Sequence, residues 1–352
     1  MSTRYFYIPY TTADGKNTGS KARDDVNALI RKLPYPFVPA CSPVRVTKNF
    51  ADLKKKRKIL KELKKNLKGK EGSVLFAQFP VNLEDVFLYP YTFARFTKKF
   101  KTVYIVHDLD ALRFSSPWLN LPTKKCLKYA WRIVSSNKTM SRYLTEKFGI
   151  PPEKIVALGI FDYLVPKANK KIRAKGNGLV LAGNLTKSLP LVDDYEKKGI
   201  KLPLHLYGYL GKREDLKETE QVTYGGCFKG DEVQNHLDGS FGLVWDGDSV
   251  SSLHGALGEY QKINSPHKAS QYLAAGLPLV VSKDAAIAPY VLENGIGIAV
   301  NSLEELPALL SGITDEEYGK MQENVFALQD GLVSGKNFLS AMEKVLKETK
   351  NG

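Results

Sequence analysis

The sequence predicts an α/β protein with two Rossmann-like domains, each built on a doubly wound parallel sheet. Two series of short apolar segments have the length of buried strands, and helical segments separate the strands within each series. Between the series lies the charged segment Gly159–Lys175, which lacks this alternation and predicts a linker. We therefore expect domains at residues 1–160 and 176–334, a linker at 161–175, and a final helical segment at 335–352.

The individual strands follow from the apolar segments and from the glycine, proline and charged residues that interrupt them. In the first domain we predict strands at Arg4–Tyr10, Ser73–Phe79, Thr102–His107, Ile133–Ser135 and Ile155–Leu158. In the second domain we predict strands at Gly178–Ala182, Leu204–Tyr207, Val222–Tyr224, Phe241–Trp245, Leu279–Ser282 and Ile298–Val300. Helices are expected at Lys21–Leu33, Asp284–Asn294, Leu303–Leu310, Thr314–Leu328 and Gly335–Glu348.

Composition favours a globular protein of the reducing cytoplasm. The chain has 352 residues, 43% of them hydrophobic, which is enough for two buried cores. Its three cysteines are scattered, so neither a disulfide framework nor a zinc site is predicted. No apolar segment is long enough to span a bilayer, and no signal-peptide pattern precedes Ala40.

The net charge of +15 is concentrated in one predicted helix. Residues 52–70 contain ten Lys or Arg against two acidic residues, and leucines recur at helical spacing. The segment is either an ordinary surface helix with its leucines in the core, or a contact with anionic lipid or a lipid-linked acceptor at the inner face of the membrane. Nucleic acid is not predicted as a partner, because no DNA- or RNA-binding motif accompanies the charge.

A candidate anion site lies in the segment Asn264–Val281, NSPHKASQYLAAGLPLVV, which reads as a turn, a short helix, a glycine break and a strand. The first turn of a helix offers free backbone N–H groups, and Asn264, Ser265, His267 and Lys268 lie close to it in sequence. A nucleotide diphosphate is the expected anion. The alternative is an ordinary αβ unit in which Lys268 is solvated.

Two further groups of polar residues follow predicted strands. Asn184 and Lys187 lie in the turn Gly183–Ser188, which suits the developing charge of a departing diphosphate or is an ordinary turn. His107 and Asp108 end a strand of the first domain and are the candidate acid/base pair. In the alternative interpretation, Asp108 caps the following segment and Arg113 neutralises it.

The segment SPHKASQYLAAGLPLVV resembles the donor-binding block of GT-B glycosyltransferases, and more narrowly that of bacterial β-1,6-galactofuranosyltransferases and of the glucosyltransferase 3 family that extends glycans on serine-rich repeat adhesins. The resemblance is looser, but in register, over most of the chain. It implies two Rossmann-like domains facing a central cleft, with the acceptor in the N-terminal domain and the nucleotide sugar in the C-terminal one. The final helix would return to the N-terminal domain.

The resemblance also implies roles for individual residues. Asn184 and Lys187 would contact the leaving group, Tyr207 would hold the uracil base, and the loop with Gly15, Asn17 and Thr18 would contact acceptor or phosphate. Gln271 stands where many GT-B enzymes have a glutamate for the ribose hydroxyls, and its amide, which carries no charge, would contact the donor there.

We therefore expect a glycosyltransferase that moves glucose or galactofuranose from a UDP-sugar to a glycan acceptor, without a metal or other cofactor. The resemblance implies a homo-oligomer. One alternative is a non-catalytic sugar- or membrane-binding module on the same shell. Another is a metal-dependent GT-A-like transferase using the Asp-x-Asp of Asp246 and Asp248. The more plausible role for this loop is to line the donor sugar, with Ser249–Gly258 as a flexible lid.

Overall fold

The protein is described by a computed structural model that covers residues 4–11, 18–45, 53–81, 83, 89–116, 120–211 and 218–347. The chain divides into two compact units. Unit 1 comprises Met1–Ala13, Ala22–Leu158 and Phe338–Gly352, and unit 2 comprises Asp14–Lys21 and Gly159–Asn337.

The strands of unit 1 are β1 (Tyr5–Tyr7), β2 (Tyr10–Thr11), β3 (Phe37–Pro39), β4 (Val44–Arg45), β5 (Val74–Phe79), β6 (Lys101–Val106), β7 (Arg132–Ser135) and β8 (Ile155–Ala157). They form a six-stranded parallel sheet with strand order β3-β1-β5-β6-β7-β8, and a short parallel pair of β2 and β4. Its first six helices are α1 (Thr18–Lys32, the residues before Ala22 being grouped with unit 2), α2 (Leu53–Asn66), α3 (Tyr89–Thr97), α4 (Asp110–Arg113), α5 (Asn120–Lys128) and α6 (Lys138–Phe148).

Unit 2 repeats this plan with the strands β9 (Leu179–Asn184), β10 (Leu204–Tyr209), β11 (Val222–Gly226), β12 (Phe241–Val244), β13 (Leu279–Ser282) and β14 (Gly297–Val300). They form a parallel sheet in the order β11-β10-β9-β12-β13-β14. Its helices are α7 (Leu189–Lys197), α8 (Gly255–Gln261), α9 (His267–Ala274), α10 (Ala288–Glu293), α11 (Leu306–Gly312) and α12 (Asp315–Ser334). The final helix, α13 (Lys336–Lys347), belongs to unit 1 from Phe338 onward.

The predicted fold class is confirmed, because two parallel α/β sheets follow one another along the chain. The long predicted strands are present because each is a continuous apolar segment that is buried on both faces. Sequence reasoning did not find β2, β3 and β4. These strands have only two or three residues, and β3 is half exposed, so they carry no distinct apolar pattern.

Helix α2 is the predicted basic helix, and its leucines are part of a core. Leu60, Leu63 and the following Leu67 are 5% exposed or less. The exposed residues of the helix are basic with the single exception of Asn66. The apolar stripe is therefore already used in folding, and the helix presents charge alone to solvent.

The predicted linker, residues 161–175, contains no helix or strand, but it is packed against the rest of unit 2. The backbone N–H of Asn169 donates to the carbonyl oxygen of Ala274, at the end of α9 (3.0 Å). Arg173 is 7% exposed and donates to the carbonyl oxygens of Gly239 and Ala275. This segment is thus an ordered part of unit 2 rather than a free connection.

Within the described ranges, no helix is sufficiently long and apolar to cross a bilayer.

Candidate functional site

Helix α9 lies on the sheet of unit 2 because a tyrosine fits against a glycine. Tyr272 is fully buried, and its hydroxyl accepts a hydrogen bond from the backbone N–H of Ala182 in β9 (2.7 Å). A Cβ at Gly242 in β12 would lie 2.3 Å from the Tyr272 ring, so only glycine allows this close approach. The contact holds α9 against β9 and β12, and Lys268 in the first turn of α9 reaches Asp246, just after the carboxyl end of β12. In open α/β sheets this edge is where ligands bind.

Three charged side chains meet at that edge. Oδ1 of Asp246, just after β12, accepts a hydrogen bond from Nζ of Lys268 in α9 at 2.9 Å and lies 3.6 Å from Nζ of Lys187. The side chains of Lys268 and Asp246 are 9% and 10% exposed, and that of Lys187 is 30% exposed. Both predicted lysines therefore share one buried carboxylate, and these three side chains together carry one net positive charge.

Burial lowers the pKa of Lys268, while Asp246 acts in the opposite direction and raises it. Lys187 adds a further lowering effect because it is a like charge. The Lys268 ammonium is thus maintained by the carboxylate against the cost of desolvation.

A buried glutamine fixes the backbone of Asp246. Oε1 of Gln261, the last residue of α8, accepts from the Asp246 backbone N–H (2.5 Å), and its Nε2 donates to the carbonyl oxygen of Val244 (2.9 Å). Gln261 has no exposed surface. Sequence reasoning did not identify Gln261, and its spacing from Asp246 carries no recognisable signal.

The start of α9 is held by the backbone of residues 159–162. Nε2 of His267 donates to the carbonyl oxygen of Asp162 (3.2 Å), Ser265 Oγ donates to Gly159 (3.3 Å), and Ser270 Oγ donates to Phe161 (2.6 Å). Burial lowers the pKa of His267 to about 4, so the imidazole is neutral at physiological pH. The helix begins at His267, with Pro266 as its N-cap, so Ser265 precedes the helix.

Two buried polar atoms near this helix lack a hydrogen-bond partner among the described residues: Oδ1 of Asn264 and Nε2 of Gln271. Gln271 is 1% exposed. An amide N–H that is buried without an acceptor is costly, and such groups occur at ligand sites. Both residues were predicted to contact the donor.

Asn184 and Tyr207 have other partners. Oδ1 of Asn184 accepts from the backbone N–H and the hydroxyl of Thr186 (3.2 and 2.7 Å), and so caps the 3-10 turn Leu185–Lys187 that carries Lys187. The Tyr207 hydroxyl accepts from the backbone N–H of Asp238 (3.1 Å), and its ring packs against Gly225. The proposed roles of both residues toward a nucleotide stay predictions.

The GT-A-like alternative is wrong, since the chain forms two sheets and the two carboxylates have different partners. Asp246 pairs with lysines, whereas Oδ1 of Asp248 lies 2.7 Å from Nδ1 of His254, and both of these side chains are exposed. Among the described residues, no three His, Cys, Asp or Glu side chains are grouped as metal ligands would be.

The segment Ser249–Gly258, which we predicted to be a lid, is hydrogen-bonded to its surroundings at Val250, and its ordering on ligand binding stays a prediction. The backbone N–H of Val250 donates to Oδ2 of Asp194 (2.8 Å), and its carbonyl oxygen accepts from the backbone N–H of Leu303 (2.8 Å). Val250 and Leu253 are buried.

In unit 1, the candidate acid/base residues follow β6 as predicted. Nε2 of His107 donates to Oε1 of the buried Gln78 (2.7 Å), and Asp108 forms an ion pair with Arg113 (2.5 Å). The Asp108 side chain does not cap α4, whose N-cap is Leu109. Of the alternative interpretation, the neutralisation of Asp108 by Arg113 is present, whereas the capping of the following helix by Asp108 is not. Gly15 and Asn17 lie outside the described residues, and Thr18 begins α1.

Two protein-family models match the chain. The N-terminal domain model of glucosyltransferase 3-like proteins matches residues 5–160, and the C-terminal domain model matches residues 179–345. The chain belongs to the glucosyltransferase 3-like family. The Lys187–Asp246–Lys268 cluster of this glucosyltransferase 3-like protein lies within the range of the C-terminal model, and the predicted family is confirmed.

Curated relatives carry two kinds of transferase name. The chain is 31% identical over 256 residues to the β-1,6-galactofuranosyltransferase WbbI of Escherichia coli K12. The matched segment covers 72% of this chain and 73% of that protein. It is 29% identical over 255 residues to glucosyltransferase 3 of Streptococcus gordonii, covering 70% and 72% of the two chains.

Solved structures with the same fold have much lower sequence identity. Sucrose-phosphate synthase from Thermosynechococcus elongatus superposes with a TM-score of 0.64 at 9% identity, over 99% of both chains. Anabaena Alr3699/HepE in complex with UDP-glucose superposes with a TM-score of 0.58 at 10% identity, over 99% of this glucosyltransferase 3-like protein and all of that chain. The GT-B fold class is thereby confirmed.

Proposed function

We propose that this protein transfers a hexosyl group from a UDP-sugar to a glycan acceptor, with unit 2 binding the UDP moiety. The observation that carries the proposal is the pair of lysines gathered beside the start of α9, at the carboxyl ends of β9 and β12. A departing UDP gains negative charge at its diphosphate, and fixed ammonium groups stabilise that charge. Relatives named as galactofuranosyl- and glucosyltransferases support the reaction class.

In an inverting transfer, the acceptor oxygen bonds to the anomeric carbon while the bond from that carbon to the UDP oxygen breaks. The acceptor hydroxyl gives its proton to a base, for which Asp108 is the candidate and His107 the second choice. The His107 ring is restrained by its bond to Gln78, and Asp108 by Arg113. Lys268 and Lys187 would take the place that a divalent cation has in metal-dependent transferases.

The test is UDP release from UDP-glucose and from UDP-galactofuranose, each with and without a glycan acceptor and with and without EDTA. We expect acceptor-dependent UDP release from one of the two donors, unchanged by the chelator. A protein that binds UDP but releases none from either donor is the non-catalytic module. Activity that EDTA abolishes would contradict the role given to the lysines.

A second proposal concerns the location of the reaction. The exposed face of α2 carries Lys54, Lys55, Arg57, Lys58, Lys61, Lys64 and Lys65. Juxtamembrane basic residues are attracted to anionic lipid by about 1 kcal/mol each. Because the leucines of α2 are buried in the protein, this contact would be electrostatic and would not insert apolar side chains into the bilayer. It would bring the enzyme to a lipid-linked or membrane-proximal acceptor.

A further inference from the structure

Asp246 occupies the centre of the lysine cluster, and the proposed reaction as stated gives it no task. The same oxygen, Oδ1, contacts the ammonium of Lys268 and lies within 4 Å of that of Lys187. The two lysines are 81 residues apart in sequence and come from different elements, the turn Leu185–Lys187 and helix α9. Two ammonium groups so close together repel each other unless an anion lies between them.

The carboxylate is itself rigidly placed. Gln261 binds the Asp246 backbone N–H, and Gly247, the next residue, has φ +123°, where a Cβ would meet the His254 carbonyl oxygen at 2.4 Å. Glycine is needed for this turn, and the turn directs Asp246 toward the lysines. Such a second layer of support is typical of side chains that hold a binding group in position.

We propose that Asp246 is a positioning residue that holds the ammonium groups of Lys187 and Lys268 together for the diphosphate of the donor. The proposal rests on the function proposed above. A buried lysine whose carboxylate is removed loses its proton more readily, because desolvation is then unopposed. Among the described residues, the groups that act on Lys268 are Asp246 after β12, Lys187 after β9, and the carbonyl oxygen of Trp245.

The central experiment is calorimetric titration of UDP into the wild-type protein and into Asp246→Asn, over a range of pH values from neutral to alkaline. Asparagine keeps the shape and the backbone bond to Gln261, but not the charge. We expect UDP to bind about tenfold more weakly to the variant, as for loss of a charge-assisted hydrogen bond. We also expect the loss of binding at alkaline pH to begin at a lower pH in the variant.

The matched control is Asp248→Asn, in the same loop. Asp248 contacts His254 and neither lysine, so its amide variant should bind UDP within about twofold of wild type. Equal or tighter UDP binding by Asp246→Asn would overturn the proposal, because Asp246 would then be irrelevant or a competitor of the phosphate. Weaker UDP binding by Asp246→Asn that is lost at the same alkaline pH as in wild type would also contradict the proposal, since a merely structural role would produce that result.

A second readout needs no nucleotide and so separates this proposal from the proposed function. Acetic anhydride acylates only neutral amines, and peptide mass spectrometry reports the labelling of Lys268 at each pH. We expect labelling of Lys268 to rise at lower pH in Asp246→Asn than in wild type. Identical pH dependence in the two proteins would contradict the proposal, whereas failure of the wild type to bind UDP would count against the proposed function alone.

If Asp246→Asn does not fold, the double variant with Lys268→Met removes both members of the buried pair. It is compared with Lys268→Met alone. Asp246 Oδ1 lies closer to the ammonium of Lys268 (2.9 Å) than to that of Lys187 (3.6 Å), so most of its positioning effect is already absent in Lys268→Met. The UDP affinities of the two proteins should then agree within about twofold. A large further loss in the double variant would show that Asp246 contacts the nucleotide directly, and would overturn the positioning role.

Discussion

Lys268 Nζ donates to Asp246 Oδ1 at 2.9 Å, and both side chains are about nine-tenths buried. Burying a charged pair costs desolvation energy that the ion pair recovers only partly, so such a pair is weak evidence for stability. It lies instead where an α/β sheet binds ligands, together with a second lysine. The relationship between these two residues therefore points to a functional site.

His267 should make the protein sensitive to mild acid. Its pKa is lowered to about 4 in the folded protein, against an ordinary value of 6.5, so the unfolded chain binds more protons between these pH values. The contribution of the neutral His267 imidazole to the free energy of unfolding is therefore complete above about pH 6.5, and it is lost as the pH falls toward 4. Urea unfolding at several pH values should show that His267→Gln removes part of this loss.

The matched control for that experiment is His254→Gln, since the His254 side chain is 71% exposed. Its unfolding free energy is measured over the same pH range, and the effect of His267→Gln between pH 4 and 6.5 should exceed that of this variant. If His267→Gln has the same pH dependence as wild type, the imidazole is not held neutral by burial.

Gln271 and Gln261 should respond differently to replacement by leucine. Gln271 Nε2 has no partner among the described residues, so Gln271→Leu should not lower the melting temperature appreciably. Gln261 uses both amide atoms, so Gln261→Leu should cost about 2 kcal/mol or more. If the Gln271 amide binds the ribose, Gln271→Leu should still weaken UDP binding in a thermal-shift titration. UDP affinity equal to wild type would remove that role.

Asp108 and Arg113 give a comparison in unit 1. As the base, Asp108 should be essential for turnover, and Asp108→Asn should lower kcat by about 100-fold or more with UDP affinity unchanged. Arg113→Gln breaks the same ion pair but keeps the carboxylate, so it should reduce kcat much less. Equal losses of kcat in the two variants would mean that the ion pair is structural.

Helix α2 should bind anionic vesicles in a salt-dependent manner. Replacing Lys54, Lys58, Lys61 and Lys65 by Gln should abolish cosedimentation with phosphatidylglycerol vesicles at low salt, because each lysine contributes about 1 kcal/mol. The control replaces the exposed Lys197, Lys201, Lys283 and Lys320, which removes the same charge from unit 2. If both quadruple variants lose vesicle binding equally, the attraction is a property of net charge and not of α2.

Local pattern was enough to predict the long strands and α2, because each long strand is a mostly apolar segment and α2 has leucines at helical spacing. It also placed Lys187 and Lys268 at strand and helix ends. It could not place Asp246 between them, because the contact joins residues 59 and 22 positions apart in sequence, whose meeting depends on strand order. The Asp-x-Asp pattern was misleading for the same reason, since three letters do not reveal that Asp248 pairs with His254.

The packing of two segments could not be predicted from the sequence. The charged segment at 161–175, predicted as a linker, is packed on unit 2, where Asn169 and Arg173 bind backbone carbonyls. The serine-rich segment from Ser249 was predicted to be flexible, but the side chains of Val250 and Leu253 are buried. Two apolar residues in a short polar segment do not reveal this burial from the sequence.

The most direct test of the donor site is calorimetric titration of UDP into wild-type protein and into Lys268→Met. Methionine keeps the apolar stem, and Lys187 remains close to Asp246, so the variant should stay folded by circular dichroism. We predict that wild type binds UDP and that the variant binds it at least about tenfold more weakly, as for the loss of one charge-assisted contact to phosphate. Equal UDP affinity in the two folded proteins would show that Lys268 does not bind the diphosphate of the donor.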